Sequence, residues 1–169
     1  MHDLPRIAAA LPRQYPYFLD SAAPGPLGQY SLLLRTSHQH LSLESDGDLQ
    51  GPGASDGFLA RLNDWYQQEK QAPREKKQWP FTGGWFLYLG YELAREIEPT
   101  VNFPAASDGF PVAFASRCKG AVYRSAGQPG ILQLVAEDRQ TLDQMIGELE
   151  SLEVEHTADC SELTSLSPD

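Results

Sequence analysis

Several small groups of residues in this chain carry types that can do chemistry. His38 and His40 lie two apart on a stretch with strand composition. With a remote carboxylate, two imidazoles on one strand face can hold a metal ion and activate water for hydrolysis. Spacing supplies no third ligand, so a surface strand is the simpler reading. Asp46 and Asp48 flank Gly47 like the first ligands of a calcium loop, but Gly57 stands where the bidentate glutamate belongs, which leaves a turn. Glu92 and Glu96 share a helix face at i, i+4 and can chelate magnesium, whereas Arg95 between them favours a local ion-pair network. Ser21 beside Asp20 lacks the glycines of a nucleophile elbow. The pair Gly83-Gly84 runs into a strand rather than a helix, with no Gly-Lys-Ser/Thr, so it is not a phosphate loop. Lys70, Arg74, Lys76 and Lys77 could grip a phosphate, but no glycine cradle accompanies them and they read as an exposed loop. No nucleophile, base or metal cluster appears at a diagnostic spacing.

The elements that must position these residues mix strands and helices. Tyr15 to Asp20, Gln29 to Arg35 and His38 to Glu44 read as three strands of an antiparallel meander, because the connections are too short for parallel crossovers. Phe58, Leu59, Leu62, Trp65 and Tyr66 recur with helical period, with Ser55 as the expected N-cap and Pro73 beyond the end. Trp85 to Tyr91 has strand composition, and Glu92 to Glu98 forms a short helix stopped by Pro99. Val112 to Cys118 and Gly120 to Arg124 read as a strand pair, and Ala126 to Gly130 as the turn into a strand from Ile131 to Ala136. A last helix runs from about Asp138 to Ser151, with Leu142, Met145, Ile146 and Leu149 on one face. The fold class expected is α+β, with antiparallel β-sheets and a few packed helices. Residues 1–152 form one domain in this reading, and residues 153–169 an acidic linker.

The chain has 169 residues, 41% of them hydrophobic, which is enough for one real core. Its net charge of −10 is concentrated at one end: from Glu137 onward there are ten carboxylates against Arg139 alone. The total looks like evidence against nucleic-acid binding, but its place matters more: the body is nearly neutral, and the acidic tail reads as a solvated helix face running into a linker. Cys118 and Cys160 match no metal or redox spacing and suggest no disulfide scaffold, so a reduced, cytoplasmic setting is expected. The N-terminal apolar patch is interrupted by prolines and too short for a signal or membrane segment.

Two segments carry a family resemblance. Pro80-Phe81, Gly83-Gly84, Tyr88, Gly90-Tyr91-Glu92, Arg95 and Glu98 resemble the N-terminal region of the chorismate-utilising synthases, anthranilate synthase component I and aminodeoxychorismate synthase component I. Leu87 replaces a glycine usual there. Upstream, Phe18-Leu19-Asp20-Ser21 followed by Gly28-Gln29-Tyr30-Ser31 is similar to a second family segment, with Gln29 where arginine is common. Asp20-Ser21 is nearer to the aminodeoxychorismate (para-aminobenzoate, folate) branch than to the Glu-Ser of anthranilate synthases.

The resemblance implies a tryptophan-binding pocket lined by Ser21, Leu27, Gly28, Gln29 and Tyr30; a hairpin with a buried tyrosine is the plainer alternative. It also implies that magnesium-dependent amination of chorismate resides in a C-terminal chorismate-binding domain whose motifs this sequence lacks, served by a glutamine amidotransferase subunit. By that resemblance the chain is a non-catalytic N-terminal domain, without metal or catalytic residues of its own, and is expected to dimerise when isolated because apolar surface is left open. The rival expectation is a stand-alone protein-interaction module. Neither nucleic acid nor membrane is an expected partner.

Overall fold

The computed structural model describes residues 3–21, 25, 28–70, 79–100 and 109–162, with side chains described as far as Leu152. Arg74, Lys76 and Lys77 of the expected basic loop lie outside the described residues, as does Leu27. The elements in chain order are α1 (Leu4–Ala10), β1 (Tyr17–Leu19), β2 (Tyr30–Leu43), β3 (Leu49–Gln50), α2 (Phe58–Glu69), β4 (Gly84–Leu89), a 3-10 turn (Tyr91–Leu93), α3 (Ala94–Ile97), β5 (Ala113–Ser125), β6 (Leu132–Ala136) and α4 (Arg139–Glu162). The six strands form one sheet in the order β1-β2-β5-β4, with β3 on β2 and β6 on β5. The pairs β1–β2, β2–β3, β4–β5 and β5–β6 are antiparallel, so the α+β expectation holds.

Tertiary contacts divide the chain into two compact units, each made of separate stretches: residues 1–35, 80–83 and 119–169, and residues 36–79 and 84–118. The first has a core of Leu4, Ile7, Tyr15, Leu33, Val122 and Met145. Its helix α1 was not expected from the sequence, although the start signals are there. The Asp3 carboxylate caps it by accepting the Leu4 N–H at 2.9 Å, and Pro5 occupies the first turn, where no donor is needed. Leu4 and Ile7, three apart, are fully buried, and each such burial contributes about 2 kcal/mol.

The second unit has a core of Leu41, Phe58, Trp65, Leu93, Ala113 and Ala115. Helix α2 runs as its periodicity predicts, but Ser55 does not cap it. Gly57 is the N-cap residue and supplies no side chain. The orphan N–H groups of Phe58 and Leu59 instead donate to the two oxygens of Glu96, at 2.6 and 2.9 Å. Ser55 gives its own N–H to Asp64 at 3.0 Å. A carboxylate at a helix N-terminus satisfies two donors and meets the favourable end of the helix dipole. Replacing Glu96 with alanine is therefore expected to cost about 1 kcal/mol in chemical denaturation, with Glu96→Gln losing less; an unchanged midpoint for Glu96→Ala would show the cap to be idle.

Two strand boundaries drawn from sequence are overturned. The strands expected at Gln29 to Arg35 and His38 to Glu44 are one 14-residue strand, β2. The polar Thr36-Ser37 stretch looked like a break, but the Thr36 hydroxyl accepts the His38 N–H at 3.0 Å while His38 takes a left-handed backbone, φ 64°. The chain absorbs an irregular residue and continues. Likewise Val112 to Cys118 and Gly120 to Arg124 are not a pair but parts of the 13-residue β5. Gly120 is required for close approach rather than for a turn: a Cβ there would lie 2.6 Å from Met145 Sδ and 2.8 Å from the Val135 carbonyl oxygen. The turn before β6 is where expected, with the Gln128 N–H on the Ser125 carbonyl at 3.0 Å. Helix α4 continues beyond Ser151 to Glu162.

Candidate functional site

Asp20 and Ser21 follow directly on β1, and Tyr30 and Ser31 open β2, whose register with β1 pairs Leu19 with Leu32. That pairing brings the two ends of the intervening segment together. Ser31, 6% exposed, is its organising group: the hydroxyl donates to Asp20 Oδ1 at 2.7 Å and accepts the Ser21 N–H at 3.3 Å. Gly28 gives its N–H to the carbonyl of Gly25, which sits at φ +117°, a conformation open to glycine. The Gln29 carbonyl accepts the Ala126 N–H at 2.8 Å, while the Gln29 side chain is exposed. The Tyr30 ring sets edge-on against Tyr123, 6.0 Å between centroids at 73°. Burial, and secondarily Tyr30, push the Tyr123 phenol above its ordinary value, so it stays a neutral donor.

Of the five pocket residues expected, Ser21, Gly28, Gln29 and Tyr30 thus lie on one β1-to-β2 connection, and Leu27 is outside the described residues. Sequence reasoning passed over Ser31 and Asp20 as site residues, although both stand within the quoted motif. Chemically, the connection presents an exposed carboxylate oriented by a buried hydroxyl, and Tyr30 is the neighbouring residue of β2, with its ring on Tyr123. Such a group suits an ammonium, and the ring suits an apolar planar body.

The signature segment from Pro80 to Glu98 spans β4, the 3-10 turn and α3. Gly83, φ +125°, has the Glu137 side chain where a Cβ would stand, with Oε1 2.1 Å away, so a side chain at this position collides. Trp85 turns inward and crosses Trp65 at 86°, 5.6 Å between centroids. Its cross-strand partner is Arg117, whose guanidinium lies 4.5 Å above the Trp85 ring and donates to the carbonyls of Gly84 and Cys118 at 3.0 and 2.9 Å. Nothing in local spacing distinguishes Arg117, because its role is set by a residue thirty-two positions away.

The other candidate groups do not assemble. Glu96 reaches back to α2, whereas a Glu92 oxygen lies 2.9 Å from where a Cβ on Gly90 would stand, so the two carboxylates do not form a magnesium pair. The irregular residue at 38 interrupts the alternation that would align His38 with His40. The His40 ring lies over Phe114, 5.3 Å between centroids, and burial lowers its pKa, with Glu44 opposing. Among the described residues no group of three His, Cys, Asp or Glu side chains can hold a metal ion. Asp46 and Asp48 close the β2–β3 turn, where Asp46 accepts the Asp48 N–H at 3.0 Å. The Cys118 thiol is buried and donates to the Ser116 carbonyl, 3.6 Å away. No helix among the described residues is long and apolar enough to cross a membrane.

No family model matches the sequence, and no curated protein matches it. A solved structure does: anthranilate synthase component I from Streptococcus pneumoniae TIGR4 superposes with a TM-score of 0.53 at 17% identity, over 86% of this chain. The two share a fold. The matched region is 32% of that enzyme's chain, so this chain spans about a third of the length of the protein it matches. At this identity the likeness extends to the arrangement of strands and helices.

Proposed function

We propose that this chain is the non-catalytic N-terminal domain of an aminodeoxychorismate synthase component I. In this reading it works with a magnesium-dependent chorismate-binding domain and a glutamine amidotransferase subunit, and holds tryptophan at the β1-to-β2 connection. The observation that carries the reading is the coincidence of two independent likenesses. A fold shared with an anthranilate synthase component I contains, on β4 and α3, the Pro80 to Glu98 pattern of the chorismate-utilising synthases. Asp20-Ser21 favours the aminodeoxychorismate branch. The solved neighbour, itself an anthranilate synthase component, favours the second reading, the N-terminal regulatory domain of that enzyme.

Asp20, oriented by Ser31, would receive the tryptophan ammonium, the backbone around Ser21 and Gly28 its carboxylate, and Tyr30 the indole. In this reading no step of chorismate chemistry is assigned to this chain.

Two measurements test this. In titration calorimetry the chain is expected to bind one tryptophan, and Asp20→Ala to weaken it about tenfold or more, the worth of one charge-assisted hydrogen bond. No heat at millimolar tryptophan would remove the ligand and spare the fold assignment. The genomic locus is expected to encode a chorismate-binding domain with this chain, and the assembled enzyme to release 4-amino-4-deoxychorismate. Anthranilate as product would favour the second reading, and a locus without such a domain would end both.

A further inference from the structure

Helix α2 and strand β4 leave a groove of about 270 Å³ between them, lined by Leu59, Leu62, Asn63 and Tyr66 on one side and by Trp85 and Leu87 on the other. Two periods produce this lining: positions 59, 62, 63 and 66 share a helix face, and 85 and 87 point to one side of a strand. Tyr66 is 48% exposed and Leu87 45%, so the groove opens to solvent over an apolar rim. Trp85 is its inner wall. The ring is held elsewhere by Arg117, stacked on it at 4.5 Å, by Trp65, edge-on at 5.6 Å, and by Tyr66, tilted at 59° and 5.7 Å away.

The polar atom of this wall is unpaired. Trp85 Nε1 is shielded from water and has no hydrogen-bond partner among the described residues, and the same holds for Nε1 of Trp65, a side chain 1% exposed. An indole N–H can only donate, and a buried donor left unpaired carries a cost that an acceptor removes. Arg117 and Trp65 have no acceptor to offer it. The groove is the side from which one can come. Tyr66, an exposed side chain free to change rotamer, is the part of the cover that can turn aside.

The lining narrows what carries that acceptor. None of its side chains is charged at neutral pH. Arg117, against Trp85, is engaged by the Gly84 and Cys118 carbonyls and by Glu69. An ion entering the groove therefore loses hydration without gaining a counter-charge. The volume lies at the small end of ligand pockets, enough for fused rings rather than an extended chain.

We propose that this groove binds a small neutral aromatic molecule whose rings rest on Leu62, Trp85 and Leu87 and whose hydrogen-bond acceptor receives the Trp85 N–H. The site shares no residue with the connection at Asp20 and Ser31 and does not depend on the reading under Proposed function.

The probe is quinoline, a neutral ring pair with one acceptor nitrogen, titrated into the isotope-labelled chain and followed by NMR. With three tryptophans the indole N–H resonances can be read singly. The Trp85 N–H is expected to move downfield and saturate, together with the methyl groups of Leu59, Leu62 and Leu87. Naphthalene, the same shape without an acceptor, is expected to bind about tenfold more weakly. Leu87→Glu places a charge at the exposed rim and is expected to weaken quinoline about tenfold or more. Asn63→Phe, at an exposed helix position, fills the groove and repeats the test should Leu87→Glu fail to fold. No saturable shift at millimolar quinoline overturns the proposal. Groove shifts with a stationary Trp85 N–H, or equal affinity for naphthalene, overturn the donor and with it the site as proposed. Movement of these resonances with protein concentration alone assigns the groove to a second copy of the chain and overturns it too.

Discussion

Replacing Arg117 with alanine is expected to destabilise the chain by about 3–5 kcal/mol, read from the urea midpoint at constant slope. The side chain is 2% exposed, and its guanidinium joins four groups of one unit. It donates to the carbonyls of Gly84 and Cys118, stacks on Trp85 at 4.5 Å and approaches Glu69 at 3.5 Å. Deleting it leaves the Gly84 and Cys118 carbonyls without these donors and opens a cavity under the Trp85 indole, and both effects add. Arg117→Lys keeps the charge but loses the planar fork and the stacking, so it is expected to recover less than half of the loss. A cost under 1 kcal/mol for Arg117→Ala would mean that the signature strand does not depend on this cation.

Removing the Glu148 carboxylate is expected to have the next largest effect, about 3 kcal/mol for Glu148→Ala. Glu148 takes the Tyr15 hydroxyl at 2.8 Å and, through Arg35 Nη2 at 2.8 Å and Nε at 3.2 Å, a forked pair from β2. The Arg35 and Glu148 side chains are 12% and 19% exposed, so water screens them weakly and cannot replace the partner that is lost. Burial and the neighbouring Glu148 raise the Tyr15 phenol well above its ordinary range, so at neutral pH it is a donor. A double-mutant cycle through Arg35→Leu should give a coupling of about 1.5–3 kcal/mol. Additive losses would show that α4 is held by Met145 and its apolar neighbours alone.

Much of the molecule is legible in residue pattern. Helix α2 follows from the period of Phe58, Leu62 and Trp65, and the turn before β6 from Ala126 to Gly130, because both are decided by residues close in sequence. Helix α1 was legible and overlooked: Asp3 and Pro5 mark its start as plainly as any cap in the chain. The β2 and β5 strands were misread for a different reason. Thr36-Ser37 and Lys119-Gly120 look like breaks locally, yet Thr36 finds Ser116 and the Arg117 carbonyl, and Gly120 lies beneath Met145 and β6.

The candidate site divides the same way. By itself the sequence determined that an α+β chain would carry two motif segments in order, one from Asp20 to Ser31 and one from Pro80 to Glu98, because residue types and short spacings are properties of the linear chain. Only the tertiary structure decided what those residues do. The β1–β2 register joins Ser31 to Asp20; Glu96 becomes the cap of a helix thirty-eight residues upstream; Arg117 settles on Trp85; and Phe86 and Tyr88 meet Phe114 as a ring platform. Each of these rests on a contact between distant positions, and the energy that selects it, desolvation together with satisfied buried polar groups, exists only once the chain has closed around it.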